Sequence, residues 1–159
     1  MDSFTFSFTV NAPLDAVARF HHDTRALTRL TPPPIVVQLH RVEPLAEGSI
    51  SEFTMWIGPL PLRWRALHTR VDPLHGFTDM QTLGPMQHWQ HTHTFTAEGP
   101  GVTRVHEHVE YQHRTGLRGL FTRLLFARPG LAFMFAYRRL ATSRALEHAI
   151  WPATRAQQA

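Results

Sequence analysis

The stretch Trp89–Tyr111, WQHTHTFTAEGPGVTRVHEHVEY, contains two alternating segments on either side of a Gly-Pro-Gly turn. In each segment every second side chain is aromatic, aliphatic or titratable, which is the period of a β-strand with one buried face. If the turn is the tip of a hairpin, its position fixes which residues face each other. The predicted facing pairs are Phe95–Val105, His93–Glu107, His91–Val109 and Trp89–Tyr111. The stretch therefore predicts an antiparallel sheet whose inward face carries aromatic rings beside histidines.

The segments before this hairpin predict one strand, two short helices and a run of further strands. Ser3–Val10 alternates phenylalanine and valine with serine and threonine, as a strand with one buried face does. Helices are predicted over Pro13–His22 and Asp23–Leu30, and the following proline run ends helical structure. Between Ile35 and His113, glycine and proline turns separate about six strands. Such short connections predict an antiparallel meander.

The apolar period becomes helical after Thr115. Arg128-Pro129-Gly130 is predicted to break or kink this helix, which resumes over Leu131–Trp151. The predicted fold class is α+β: a curved antiparallel sheet of about seven strands, in the order β-α-α-β6-α, wrapped around a long C-terminal helix. One domain is expected over residues 1–151, followed by a flexible tail at 152–159.

The composition limits the classes of function that the chain can have. The 159 residues include no cysteine, which excludes thiolate catalysis and cysteine metal sites and is compatible with the cytoplasm, the expected location. All sixteen basic residues are arginines scattered along the chain, so a nucleic-acid partner is not expected. No apolar run is long enough to span a membrane. The sequence leaves the oligomeric state open, with a dimer as one option.

The other turns predict how the remaining strands align. They place Asp79 beside His93, Arg70 beside Asp79, and His68 and His91 on either side of Gln81. The same reasoning sets Leu83 beside Trp89, Phe77 beside Phe95, Met55 beside Trp64, and Phe53 beside Ala66. All of these residues share the inward face. The result is a polar row, Arg70, Asp79, His93 and Glu107, across an apolar wall, and it serves either to close the sheet as a structural network or to orient a ligand.

The histidine pair also raises the question of a metal site. His91 and His93 with Glu98 approach a cupin spacing, but Glu98 adjoins the turn and should point into solvent. A second set, His91 and His93 with Asp79 or Glu107, offers ligands that suit iron or zinc. Histidines at this spacing also suit any inward-facing strand, so neither a metal nor another cofactor is expected, and the metal site remains a secondary alternative.

Two further groups of residues are interpreted as surface or core features. His21 and His22 end the first helix and are expected to be exposed, where a cation favours the helix dipole. Most of the other histidines are also expected at solvated positions: His40, His75, His88, His106, His108, His113 and His148. The helical stripe Leu117, Leu120, Phe121, Leu124 and Leu125, with Arg118 and Arg123 beside it, is more typical of core than of a membrane-facing surface.

Several motifs resemble the START-like helix-grip superfamily, also called SRPBCC, which includes polyketide cyclase/dehydrase-like proteins. The motifs are Phe8-Thr9-Val10-Asn11-Ala12-Pro13, Leu30-Thr31-Pro32-Pro33, Phe77-x-Asp79, Gly84-Pro85, Trp89-x-His91-x-His93-x-Phe95 and Val109-x-Tyr111. They look like those of a bacterial ligand-binding subfamily, which also occurs fused to epimerase-like domains. The resemblance implies a deep apolar cavity between sheet and helix that binds hydrophobic molecules. Glu107 stands where the subfamily commonly has aspartate.

The leading hypothesis is a protein that binds a small hydrophobic ligand, such as a lipid, a polyketide or an aromatic compound. The predicted ligand-binding residues are Phe53, Met55, Trp64, His68, Arg70, Phe77, Gln81, Trp89, His91, His93, Phe95 and Tyr111, with Phe133 or Tyr137 from the helix. The alternative is a cyclase or dehydratase in which His93, oriented by Glu107 or Asp79, is the general acid or base.

Overall fold

A computed structural model describes residues 1–147 of the chain. The strands are β1 (Asp2–Val10), β2 (Val36–Val42), β3 (Ile50–Ile57), β4 (Leu60–Asp72), β5 (Gly76–Leu83), β6 (His88–Gly99) and β7 (Val102–Gln112). The helices are α1 (Leu14–His22), α2 (Ala26–Leu30), α3 (Gly116–Phe126) and α4 (Arg128–Glu147). The predicted helix end at Trp151, His148 and the tail at 152–159 lie outside the described residues.

The strands form one seven-stranded antiparallel sheet in the order β1-β7-β6-β5-β4-β3-β2. The chain is thus a meander from β2 to β7, and β1 completes the sheet by pairing with β7. Burial alternates along β6 and β7, with Trp89, His91, His93 and Phe95 buried on the same face. This confirms the predicted fold class and the inward face of the hairpin.

Helix α4 covers the inward face of the sheet. Its fully buried residues are spaced by about one or two helical turns and are Leu131, Phe135 and Thr142. The ring of Phe135 lies 5.4 Å from that of Phe4 and 5.3 Å from that of His91. Because α4 contacts both an edge strand and a central strand, it roofs the space above β6 and β7.

The C-terminal helical region bends one residue earlier than predicted. The break lies at Ala127, whose backbone is extended, and Arg128, Pro129 and Gly130 are already in α4. Proline is tolerated in the first turn of a helix because the first amides have no acceptor within the helix. Pro129 therefore starts α4 instead of breaking it.

Only part of the predicted apolar stripe of α3 packs against the core: Phe121 and Leu125 do so, as predicted. Gly119, Thr122 and Phe126 are buried, whereas Leu117, Leu120 and Leu124 are 87%, 66% and 78% exposed. The core interpretation is therefore wrong for these three leucines, which we call the leucine ridge. No single described helix has the length and apolar character to span a membrane, although α3 and α4 together, bent by 45°, meet those two criteria.

The hairpin β6–β7 has the predicted register, but three other pairings are shifted by two residues. Asp79 faces His91 instead of His93, His68 faces Asp79 instead of Gln81, and Phe53 faces Trp64 instead of Ala66. The causes are local. β3 and β4 are joined by two loop residues instead of four, Met86 folds into the core after β5, and β4 contains a bulge between Thr69 and Asp72. Because these shifts are even, Asp79, His68 and Phe53 keep their predicted inward face. Arg70 and Leu83, which lie at the two irregularities of the β4–β5 pairing, were predicted to face inward and are instead exposed.

Candidate functional site

A cavity of about 120 Å³ lies between the sheet, the two short helices and α4. Its walls come from every part of the fold except β1, β2 and β7: His21, Asp23, Thr24, Ala26, Leu27, Leu30, Leu45, Ser51, Phe53, Met55, Trp64, Ala66, His68, Phe77, Asp79, Trp89, His91, His93, Phe126, Met134 and Arg138. An apolar cavity of roughly 150 Å³ is enough to bind benzene. The space therefore matches a ligand about one ring in size.

Four aromatic rings form one part of the wall. Trp64 stacks on Phe53 at 6.1 Å and meets the edge of Trp89 at 5.5 Å. Phe126 of α3 lies 6.3 Å from Trp64 and 5.7 Å from Trp89. We call Phe53, Trp64, Trp89 and Phe126 the aromatic box. Its members come from β3, β4, β6 and α3, so the box depends on the packing of α3 against the sheet.

A cluster of buried titratable groups forms the adjoining part of the wall. His91 Nε2 donates to Glu107 Oε2 at 2.8 Å, and His93 Nε2 donates to Asp79 Oδ2 at 3.1 Å. His93 Nδ1 also lies 2.8 Å from Glu107 Oε2, but it does not form an aligned hydrogen bond. Asp79 reaches His91 Nδ1 at 3.6 Å. Two carboxylates and two imidazoles are therefore in mutual contact, with Glu107 only 1% exposed beneath the histidines.

Burial and ion pairing set the charges of this cluster in the metal-free chain. Burial opposes the charged form of His93, but Glu107 and Asp79 outweigh it and raise the pKa of His93 to about 9. Burial also opposes the charge of Glu107, yet His93 and His91 hold its pKa well below the usual range. Burial, aided by the charge of His93, lowers the pKa of His91. The cluster therefore holds an imidazolium at His93, a neutral His91 and two carboxylates.

His21 belongs to this site, which the sequence interpretation missed. The prediction that it is exposed is wrong: it is 8% exposed, lines the cavity, and its ring lies 6.0 Å from His93 and 5.1 Å from Phe95. Burial lowers its pKa to about 3, so it is neutral. Its Nε2 has no hydrogen-bond partner among the described residues. The sequence did contain a signal that His21 is buried. Residues spaced by three or four share a helix face, and His21 shares a face of α1 with Val17 and Ala18.

Arg138 of α4 is a further polar cavity residue that the sequence interpretation missed. Its guanidinium lies 5.1 Å above the ring of Phe135, and burial lowers its pKa. Neither the hydrogen bonds nor the ion pairs found within residues 1–147 give its buried Nε an acceptor. Arg138 therefore presents an unsatisfied donor beside the cavity. Arg138 lies one helical turn after Met134, which also lines the cavity, so the two residues share a face of α4. The sequence alone did not show which face of α4 points to the cavity.

The structure brings eight of the predicted ligand-binding residues to the cavity wall. They are Phe53, Met55, Trp64, His68, Phe77, Trp89, His91 and His93, together with Asp79 from the predicted acid–base set. His68 is oriented by a 3.0 Å hydrogen bond between its Nδ1 and the hydroxyl of Ser49. Glu107, the remaining acid–base residue, lies behind His91 and His93 instead of on the wall.

Six predicted residues lie away from the cavity. Arg70 is exposed because it sits in the β4 bulge, with a φ of 52°, so it does not pair with Asp79. Gln81 instead bonds the backbone of Met86 and closes the β5–β6 loop. Phe133 is 63% exposed, and Met134 and Arg138 take the places expected of Phe133 and Tyr137. Phe95 and Tyr111 are buried in the core but do not line the cavity.

Two groups within the described residues have ligand atoms close enough to hold a metal ion. His21, His93 and Glu107 form one group, and Asp79, His91 and His93 form the other, with ligand atoms within 4.8 Å of one another in each. Glu98 of the cupin-like set is exposed and bonds Arg104 and Thr9, as its place beside the turn predicted. His93 belongs to both groups, and it contacts Asp79 through Nε2 and Glu107 through Nδ1. An acid–base role for His93 stays a prediction.

Comparison with known proteins identifies the fold. No family model matches the chain, and no curated protein does. Among solved structures, the Zhui aromatase/cyclase from Streptomyces sp. R1128 superposes with a TM-score of 0.68 at 14% identity, covering 93% of this chain and 98% of that chain. A START superfamily protein from Mycobacterium smegmatis gives a TM-score of 0.68 at 11% identity, covering 92% and 97%. The chain has a START-like helix-grip fold.

A third similar structure shows the same fold inside a longer protein. The nucleoside-diphosphate sugar epimerase from Corynebacterium glutamicum is 24% identical to the chain, with a TM-score of 0.67. The match covers 91% of this chain and 29% of that one. At these identities the similarity concerns the START-like fold alone, and the function has to be argued from the cavity.

Proposed function

We propose that the chain binds a small, mostly apolar ligand, about one ring in size, in the cavity beneath α4. The observation that carries this proposal is the aromatic box beside a cavity of about 120 Å³. Apolar cavities with a few convergent polar groups are the usual form of small-molecule sites. The helix-grip fold that the chain shares with a START superfamily protein is compatible with this role.

The polar end of the ligand is proposed to carry an acceptor oxygen that faces Arg138. The two carboxylates of the cluster contact histidines, whereas the Nε of Arg138 has no acceptor within the described part of the chain. A buried donor without a partner costs about 1–3 kcal/mol, and a ligand oxygen would remove that cost. The size and this donor together favour a ring compound with a carbonyl or hydroxyl group over a long-chain lipid.

Calorimetric titration with a panel of ring compounds tests the proposal. The panel contains matched pairs, such as acetophenone with ethylbenzene, and a long-chain fatty acid as the competing ligand class. We expect saturable one-to-one binding of ring compounds, with the oxygen-containing member of each pair binding more tightly. Absence of binding by every ring compound would reject the proposed function, and binding of the fatty acid alone would reject the ligand class.

A cytoplasmic location is proposed together with this function. A chain without cysteine is compatible with a reducing compartment, although it does not require one. Fractionation of the native cells with an antibody against the chain is the direct measurement, and recovery in the secreted or periplasmic fraction would reject the location.

A further inference from the structure

We propose that His21, His93 and Glu107 form a binding site for a first-row divalent transition-metal ion, such as Zn²⁺ or Fe²⁺, in the wall of the cavity. This inference goes beyond ligand binding and does not depend on it. The three residues come from α1, β6 and β7, and their ligand atoms lie within 4.8 Å of one another. Two imidazoles and one carboxylate are a donor set that zinc and iron accept.

The hydrogen bonding of the two histidines supports this assignment. His21 Nε2 is buried with no hydrogen-bond partner within residues 1–147, and His93 Nδ1 is buried 2.8 Å from Glu107 Oε2 without an aligned hydrogen bond. Buried polar atoms without a partner are uncommon, and an unplaced ion is one of the recognised reasons for them. These two atoms belong to two of the three residues that could coordinate the ion, so one ion would satisfy both.

The neighbouring carboxylates provide the support that metal ligands usually have. His93 Nε2 donates to Asp79 at 3.1 Å, so Nδ1 is the nitrogen that would bind the ion, which would displace the Nδ1 proton of the imidazolium. His91 Nε2 donates to the Glu107 carboxylate at 2.8 Å and so orients it. A histidine that binds metal through one ring nitrogen commonly donates to a carboxylate through the other. The cluster thus has both the coordinating groups and the groups that hold them in place.

The charges of the site are also suited to a divalent cation. Glu107 is fully buried and Asp79 is partly buried, so the cluster holds two negative charges with little access to water, and such charges are paired or bind metals. His21 and His93 line the cavity, whereas Glu107 lies behind them. An ion held between these three residues would therefore border the cavity, where a ligand oxygen or water can complete its coordination.

Metal titration of the tag-free, EDTA-treated protein tests this site. Zn²⁺ binding is measured by calorimetry, and Co²⁺ binding by its visible absorption. We expect one ion per chain, and at least a roughly tenfold loss of affinity in His21→Gln and in His93→Gln. Asp79→Asn, which removes the support of His93, should lower the affinity about 10-fold to 100-fold. His108→Gln, on the opposite face of β7, is the matched control and should not change it.

His21→Gln is the most informative variant because His21 Nε2 has no partner among the described residues whose loss would disturb the fold. Circular dichroism establishes that each variant is folded. Absence of a Co²⁺ spectrum in the wild-type protein would overturn the proposal. Unchanged affinity in His21→Gln with lost affinity in His91→Gln would also overturn it, since the ion would then bind the alternative group of Asp79, His91 and His93.

Discussion

His93 Nε2 lies 3.1 Å from Asp79 Oδ2, although Asp79 faces His91, not His93, across the β5–β6 pairing. The contact is diagonal, between residues two positions apart on one face of the sheet. Diagonal neighbours remain within reach of long side chains. Asp79 can therefore contact both histidines, and together with Glu107 it turns two separate pairs into one network.

The metal-free protein is expected to be most stable near pH 6.5. His93 has its pKa raised to about 9, so its contribution is complete below its unfolded value of 6.5 and is lost as the pH rises through about 9. His21 has its pKa lowered to about 3, so its contribution is complete above 6.5 and is lost as the pH falls. Urea denaturation with EDTA at pH 5, 6.5 and 9 checks this. A free energy of unfolding that rises from pH 6.5 to 9 would contradict it.

Glu107→Gln is predicted to destabilise the metal-free chain by about 3–5 kcal/mol, because the buried charge of His93 loses one of its two carboxylate partners and His91 loses its charged acceptor. The pKa of His93 should also fall, since Glu107 is the main group that raises it. Urea denaturation and the histidine NMR titration give the two quantities. Glu110→Gln on the other face of β7, where Glu110 accepts only from Gln90 among the hydrogen bonds of the described residues, is the control and should cost less than about 1 kcal/mol.

Gly76→Ala is predicted to destabilise the protein by at least about 2 kcal/mol. Gly76 has a φ of 133°, and an added Cβ would lie 1.9 Å from the carbonyl oxygen of His93. Relief of this clash must move β5 away from β6 at the cluster. Thermal denaturation and the NMR signal of His93 should both change. Gly99→Ala has open space around its Cβ and is the matched control; an equal effect of the two substitutions would refute the steric explanation.

Ala66→Phe is predicted to abolish ligand binding while the chain stays folded. Ala66 is 4% exposed and lines the cavity on β4, so a larger side chain there would occupy the space proposed for the ring. The overpacking should cost about 1–3 kcal/mol. Calorimetric titration with acetophenone measures the loss. Ala97→Phe, at an exposed position of β6, should bind normally, and retained binding in Ala66→Phe would place the ligand elsewhere.

Arg138→Met is predicted to remove the preference for oxygen-containing ligands. The variant keeps a long apolar side chain but loses the donor that faces the cavity. The affinities for acetophenone and ethylbenzene should become similar, with the change confined to acetophenone. The adjacent exposed Arg139 provides the control Arg139→Met. A preference that survives in Arg138→Met would show that another group binds the oxygen.

The sequence predicted the order of elements, the inward face and the β6–β7 register. The Gly-Pro-Gly turn defines that hairpin by itself, so His93 was correctly placed opposite Glu107. The register of the other strands depends on features that turn residues do not reveal, such as the β4 bulge at Arg70 and the burial of Met86. Errors of two residues preserved the faces, which is why most of the cavity wall could be predicted.

The helical contributions to the site could not be predicted to the same extent. His21 and Arg138 reach the cavity because of how α1 and α4 pack over the sheet, and a periodic pattern does not encode that packing. The prediction for the apolar stripe of α3 was right for Phe121 and Leu125 and wrong for the leucine ridge, for the same reason. Gly119 lies on the buried side of α3, and its lack of a side chain lets the backbone of Arg114 approach closely.

The leucine ridge on α3 affects how binding to this protein can be measured. Environment-sensitive dyes such as anilinonaphthalene sulfonate bind to exposed apolar surfaces, so their fluorescence would report binding to Leu117, Leu120 and Leu124 as well as to the cavity. A compound that displaces the dye from the leucine ridge would be mistaken for a ligand of the cavity. Screening is therefore better done on a variant with Leu120→Glu and Leu124→Glu, whose outer surface no longer competes for the reporter.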